Sequence, residues 1–243
     1  MSQFPQVVID FWQEQFPLES ALYQDEKLTI STNPLLEEAR RLQVLDISEG
    51  PTKVVLTPQL ADSLGLAQNQ AKSAEEFQQR LKSSSIKMHE ADDLLYIPTA
   101  AAEVLRDEQV PDSVRRLTSN DAAAFSEFTS SASAQDLDDA YVELDHWVVF
   151  GAFEAGKLVC VASMYPWQKS KIADIGVLTL ESARGKGHGR RVIRAISKNA
   201  YDQGYEPQYR CHLDNLGSVG LARSSGFVSF ATWEALSSTG AEE

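Results

Sequence analysis

Cysteine is nearly absent: Cys160 and Cys211 are the only two in 243 residues. Each stands in an apolar, strand-like stretch, and no CxxC or Cys/His spacing suits zinc, so reduced thiols packed in a core are expected. His212 beside Cys211 does not make a nucleophile pair, because adjacent residues of a strand point to opposite faces. Long apolar runs are missing as well. A membrane-spanning helix needs about 20 nearly uncharged apolar residues, whereas stretches such as Trp147 to Phe153 are far shorter and end at a charge. The N-terminus lacks the basic start of a signal peptide, and Asp10 and Glu14 interrupt its apolar residues; the protein is therefore expected to be cytoplasmic. Positive charge is scarce, with 22 Lys and Arg against 35 Asp and Glu and a formal net charge of -13. General nucleic-acid binding relies on basic surface to release counterions, so that class is disfavoured. Neither nucleic acid nor a membrane is an expected partner.

Hydrophobic residues make up 43% of the chain and charged ones 23%, which suits packed cores rather than disorder. The length accommodates two modest domains. Residues 1–97 alternate helical and extended signals. Val7 to Phe16 and Pro34 to Leu45 have helical spacing, Lys53 to Leu56 and Leu94 to Ile97 read as strands, and Thr57-Pro58 caps a short helix that Gly65 ends. Ser73 with Glu76 forms a capping box. No chemical motif stands out there, and the reading is a smaller α/β domain of structural or substrate-shaping role. The Ala-rich stretch 98–112, between Pro98 and Pro111, reads as a linker. A second domain is expected over 113–236, with a polar tail at 237–243.

The second domain has crisper signals. Thr118 to Asp121 caps a helix, and two apolar strands, Trp147 to Phe153 and Lys157 to Tyr165, are joined at Glu154-Ala155-Gly156. Ile172 to Leu180 is a further strand. A helix from Gly189 to Asp202 buries Val192, Ile193, Ile196 and Ala200 and stops at Gly204. Tyr209 to Leu213, a short helix from Asn215 or Ser218 to Gly226, and Val228 to Leu236 complete the order.

Charge is distributed unevenly along this half. Arg184, Lys186, Arg190, Arg191, Arg194 and Lys198 form a basic run without an acid, while Asp121, Glu127, Asp136, Asp138, Asp139, Glu143, Asp145 and Glu154 form an acidic stretch without a base. One segment wants an anion and the other a cation. The basic run opens with Arg184-Gly185-Lys186-Gly187-His188-Gly189 between a strand and a helix. Alternating glycines let the backbone turn sharply and present N–H groups to an anion, and the following helix adds its positive dipole end. That is the geometry of a pyrophosphate cradle. The G-x-x-x-x-G-K-[ST] spacing of a P-loop is absent, and the G-x-G-x-G spacing does not fit the dinucleotide fingerprint.

The run Ile175 to Gly189 resembles motif A of the GNAT acetyltransferases, [RQ]-x-x-G-x-[GA] after a strand. Asn215-x-x-Ser218-x-x-Leu221-Ala222-x-x-x-Gly226-Phe227 resembles the family's next helix with its terminal Gly-Phe, and Arg116-Leu117-Thr118-x-x-Asp121-Ala122 its opening strand and helix. The resemblance covers roughly Val114 to Leu236. It implies an α/β fold with a GNAT-like mixed, splayed sheet flanked by helices. It also implies acetyl-CoA as co-substrate, with the pyrophosphate on Arg184, Gly185, Lys186, Gly187, His188, Gly189 and Arg190. The backbone of Val177, Leu178 and Thr179 would pair with the pantetheine arm, and Asn215 and Ser218 would stand near that arm or the thiol, or would merely cap their helix.

The activity implied is direct transfer of acetyl to a primary amine, cationic if the acidic stretch faces it. Many members place a tyrosine acid where this chain has Ala222. Ser218 is the remaining side-chain candidate for protonating the thiolate, beside an ordered water or no acid at all. For the base, Asp174 and then Glu143 or Asp145 are the nearest carboxylates, and Tyr165 and Trp167 could line the acceptor pocket. Because Ala222 departs from the pattern, the alternative is a catalytically weak or inactive acyl-CoA-binding regulatory module. Nothing in the residues selects an oligomeric state, and a homodimer stays open.

Overall fold

The computed structural model describes residues 2–47, 50–66, 74–84 and 86–236, and the chain divides into two compact units. One comprises Ile9–Leu94, His212–Asp214 and the segment from Ser229 on; the other comprises Met1–Val8, Leu95–Cys211 and Asn215–Val228. The capping box at Ser73 and the tail 237–243 lie outside the described residues.

From the N-terminus, α1 (Gln6–Gln15) is followed by strands β1 (Ala21–Gln24), β2 (Leu28–Thr32), β3 (Leu42–Asp46) and β4 (Thr52–Leu56). β4 pairs parallel to β2 and antiparallel to β3. Helix α2 (Pro58–Ser63) starts where the sequence chemistry puts it: the Thr57 side chain accepts from Leu60 N–H, proline occupies the first turn, and Gly65 leaves with φ +66. α3 (Ala74–Ser83) and β5 (Asp92–Tyr96) complete this stretch. The helical spacing of Pro34 to Leu45 misled. Those residues form only a single 3-10 turn, Glu38–Arg40, before β3, whose Leu42 and Leu45 are buried. The strand conformation prevails because β3 hydrogen-bonds between two neighbours while its apolar side chains still enter a core.

The stretch read as a linker contains α4 (Thr99–Arg106), whose Ala102 and Leu105 join the main core of the second unit. Alanine-rich sequence is strong helix-forming sequence, and here it has an apolar face to bury. β6 (Val114–Arg116) then leads through a Thr118/Asp121 capping box into α5 (Ala122–Ser130), followed by α6 (Ala134–Ala140). β7 (Val148–Glu154), β8 (Lys157–Pro166) and β9 (Ile172–Thr179) run antiparallel in turn, and α7 (His188–Asp202) carries the chain to β10 (Glu206–His212), parallel to β9. α8 (Leu216–Ser225) ends at Gly226, φ +102. This is a mixed sheet with α7 packed on the face of Ala162, Met164 and Ile175, while α5 and α6 cover the face of Val161 and Leu178.

The last strand, β11 (Val228–Ala235), was expected in the second domain. It pairs with β3 over Thr232↔Asp46 to Ala235↔Gln43, and Trp233 Nε1 donates to Gln43 Oε1 at 3.0 Å. Its ladder therefore groups residues from Ser229 on with the first unit.

Candidate active site

β9 keeps its pairing with β8 as far as Thr179↔Cys160, whereas its register with β10 is recorded only from Ile172↔Glu206 to Ile175↔Tyr209. Beyond Ile175 the two parallel strands part. A cleft of about 620 Å³ lies there, lined by Val177, Leu178 and Thr179 of β9, the loop into α7, Tyr209 of β10 and the α8 residues from Asn215 to Ser224. The strands therefore part within β9, earlier than the expected point after Val177 to Thr179, and Val177, Leu178, Thr179, Asn215 and Ser218 all line the opening.

The loop into α7 turns through left-handed backbone at Gly185 (φ +77) and Gly187 (φ +76), conformations that glycine adopts without steric cost. A side chain at Gly187 would be strained there and would meet Arg191 Nη1 at 3.3 Å. Gly189 serves another end: a Cβ on it would touch Leu221 and Thr179, so its bareness lets α8 and β9 approach α7. The α7 N-terminus contributes unsatisfied N–H groups and the positive end of a 15-residue helix. His188 is buried, and its Nε2 has no hydrogen-bond partner although Glu154 Oε2 is 3.4 Å away. Left-handed glycines leading into a helix N-terminus fit a pyrophosphate, whereas the His188 ring is taken up by Glu154 and Arg191.

The basic residues of this loop are not left to face an anion alone. Arg184 Nη2 donates to Asp136 Oδ1 of α6 at 3.1 Å, Lys186 Nζ donates to both Glu154 oxygens at 3.0 Å, and Arg194 Nε donates to both Glu108 oxygens at 2.9 Å. Lys186 thereby holds the Glu154 carboxyl below its usual range, and Arg194 does the same for Glu108. Two residues of the acidic stretch, Asp136 and Glu154, thus meet the basic run directly. Asp136 and Asp139 line the cleft itself. Lys186, expected on the phosphates, is turned to Glu154, whereas Arg184, Gly185, Gly187, His188, Gly189 and Arg190 all border the cleft.

Asn215 accepts from Ser218 N–H at 3.0 Å, so it caps α8 while lining the cleft. Ser218 Oγ lies 2.8 Å from Tyr209 Oη. Tyr209 was read only as a strand residue. Burial pushes its hydroxyl above the ordinary tyrosine range, so it remains a neutral O–H. Alternation along β10 is the signal that places its ring toward α8 and Phe227, once β10 is known to lie beside β9. Ala222 is fully buried and carries no polar group.

Asp174 lies away from the cleft lining. Its Oδ1 accepts from Gln208 Nε2 at 2.9 Å, and its Oδ2 from Arg210 Nη2 at 3.2 Å and Tyr165 Oη at 3.3 Å. Gln208 in turn accepts from Tyr96 Oη. Both carboxylate oxygens of Asp174 are thus engaged by protein donors. Trp167 is buried.

Among the described residues no helix is long and apolar enough to cross a membrane. Residues 114–227 match the model of the acetyltransferase (GNAT) family. Among solved structures, an acetyltransferase of the GNAT family from Colwellia psychrerythraea is similar over 75% of this chain and 75% of its own, with 19% identity and a TM-score of 0.53. A GNAT-family protein from Novosphingobium aromaticivorans DSM 12444 is covered over 65% of its length by 62% of this chain, at 19% identity and a TM-score of 0.45. A conserved protein of unknown function from Staphylococcus epidermidis ATCC 12228 is similar over 92% of this chain and 96% of its own, at 12% identity and a TM-score of 0.49. A comparison with curated proteins finds no match. The C-terminal half of the chain, residues 114–227, therefore carries a domain of the GNAT acetyltransferase family.

Proposed function

We propose that the protein is an N-acetyltransferase that passes the acetyl group of acetyl-CoA directly to the primary amine of a cationic acceptor. The observation that carries the reading is the cleft in which the open edge of β9, the glycine cradle and the α7 N-terminus converge. In this reading the backbone N–H groups of Gly185 to Gly189 hold the pyrophosphate, Arg184 and Arg190 add charge, and Val177 to Thr179 offer backbone groups to the pantetheine amides. Acyl transfer also requires a proton for the departing thiolate. Ser218 stands where it can supply one, and Tyr209, 2.8 Å behind it, can replace that proton. The pair supplies a hydroxyl that Ala222 lacks, which favours an enzyme over a regulatory acyl-CoA binder.

The experiment is thiol release from acetyl-CoA in the presence of spermidine, sisomicin and a lysine-bearing peptide. Turnover with at least one amine is expected. CoA binding by calorimetry without turnover on any amine would instead support the regulatory alternative.

A further inference from the structure

On the face of the sheet opposite α7, Gly176 is bare for a reason. A Cβ there would meet Ala140 O at 2.2 Å and Tyr141 O at 2.8 Å, so the C-terminal end of α6 is laid directly on β9. The next residue along β9 is Val177 and the residue before Tyr141 is Ala140, both of which line the cleft. Tyr141, in left-handed backbone at φ 46, turns the chain back toward β7 and remains 53% exposed. What gathers beside Gly176 is an aromatic cluster. The rings of Tyr141, His146 and Tyr165 lie 5.0 to 5.7 Å apart, centroid to centroid.

His146 is anchored in this cluster by its Nδ1, 2.8 Å from Ser163 Oγ, and Ser163 stands opposite Gly176 in the β8–β9 ladder. Ser163 Oγ also accepts from Glu143 N–H at 3.4 Å. In the tautomer with Nδ1–H directed at Ser163 Oγ, Nε2 keeps its lone pair, 3.6 Å from the half-exposed Glu143 carboxylate. Lone pair, carboxylate and aromatic rings are all partners for an ammonium group.

We propose that the acceptor amine enters at Tyr141, Glu143, His146 and Tyr165, and that His146 Nε2 takes its proton as the nitrogen attacks the thioester carbonyl. The proposal rests on the acetyl-transfer reading above. The balance is complete: the bound ammonium first gives one proton to solvent, the neutral nitrogen then forms the N–C bond as the C–S bond breaks, its second proton passes to His146 and then to solvent, and the thiolate receives a proton from Ser218 or solvent. The acceptor class is a primary amine on a cationic molecule.

Charge around the ring agrees with this role. Burial holds His146 below its ordinary value, outweighing the upward pull of Glu143 and Asp145, which favours the neutral imidazole a base requires. From β8, Tyr165 faces it as a neutral phenol whose ionisation burial suppresses. Behind Tyr165, Asp174 of β9 and Arg210 of β10 form an ion pair at 3.2 Å, and Tyr141 closes the side toward α6. Asp174 thus positions Tyr165, while the base is the histidine beside it.

The test compares wild type with His146→Gln and Glu143→Gln on whichever of spermidine, sisomicin or the lysine peptide is acetylated. In His146→Gln, kcat/KM at neutral pH should fall by about 100-fold or more, the usual worth of a general base. Part of the loss should return as pH rises toward the amine's own pKa, with CoA affinity unchanged by calorimetry. Glu143→Gln should raise KM for the amine more than it lowers kcat, and more so at low salt. A His146→Gln protein that binds CoA normally and keeps the wild-type kcat/KM and pH profile would overturn the proposal while leaving the acetyltransferase reading intact. Should His146→Gln fail to bind CoA, Glu143→Gln decides, and an unchanged KM there overturns the proposal. Absence of turnover by the wild type with every amine would overturn both readings.

Discussion

The glycine loop that follows β9 and the aromatic cluster packed beside β9 are built in opposite ways. The loop is one continuous stretch, Arg184 to Gly189, and the groups proposed to work there are backbone N–H donors positioned by two left-handed glycines. The cluster draws Tyr141 from the end of α6, His146 from the loop before β7, Tyr165 from β8 and Asp174 from β9, and all its working groups are side chains. A backbone site tolerates most side-chain changes and fails when a conformation is denied. A side-chain site tolerates backbone variation and fails when one group is removed.

Gly187→Glu should break the cradle outright. The residue is left-handed, and its carboxylate would compete for the phosphate's place, so CoA affinity should drop on the order of 100-fold or more. Calorimetry on a variant with wild-type circular dichroism checks it, and retained affinity would remove this loop as the site. Tyr209→Phe sharpens the contrast from the side-chain end. It should lower kcat roughly 10- to 100-fold with CoA affinity unchanged, because only the proton supply behind Ser218 is lost. A kcat within twofold of wild type would mean that Ser218 draws its proton from solvent.

Gly176→Ala probes the joint between the two regions. The new Cβ meets Ala140 O at 2.2 Å, and the strain should cost about 1 to 3 kcal/mol, read as a fall in Tm. An unchanged Tm would show that α6 moves aside freely. Glu206, on β10 beside Ile172, is a control outside both regions. Burial pushes its carboxyl from 4.5 up to about 7, and Tyr201 Oη donates to it at 3.0 Å. A raised folded-state value means that its stabilising contribution is complete below the unfolded value of 4.5 and is lost as pH rises through about 7. Wild-type Tm should decline across that window, and Glu206→Gln should flatten the decline without touching CoA affinity; an identical pH profile in the variant would refute it.

The smallest effect concerns the meeting of the two charged segments. Asp136 partners Arg184 inside the cleft, so Asp136→Asn should free that guanidinium and tighten CoA a few-fold, an exposed pair being worth about 1 kcal/mol or less. Weaker binding in the variant would mean that Asp136 orients Arg184 instead of competing for it. The acidic stretch therefore divides: Asp136, Asp139 and Glu154 belong to the cleft and its loop, and Glu143 and Asp145 adjoin the proposed acceptor cluster.

The order of elements from Val114 onward was readable because each start and stop has local chemistry: the Thr118/Asp121 box, the Gly156 hairpin, Gly187 before α7 and Gly226 after α8. The turn into α7 was readable for the same reason, since glycine spacing and a helix start are properties of adjacent residues. Pro34 to Leu45 and the stretch 98–112 were misread because what decides them is a partner. β3 is a strand because β4 and β11 bond it, and α4 is a packed helix because a core accepts Ala102 and Leu105. Asp174 and Glu143 are legible in the sequence as carboxylates, but which group is left with a spare lone pair depends on neighbours far along the chain. Gln208 and Arg210 occupy Asp174, Ser163 orients His146, and Tyr209 stands behind Ser218. Local sequence determined where the backbone turns, caps and presents its N–H groups, because those are short-range steric and hydrogen-bonding preferences. Tertiary structure alone decided which side chains are spent on one another and which remain available to a substrate, because that depends on strand register and on the one close approach that Gly176 permits.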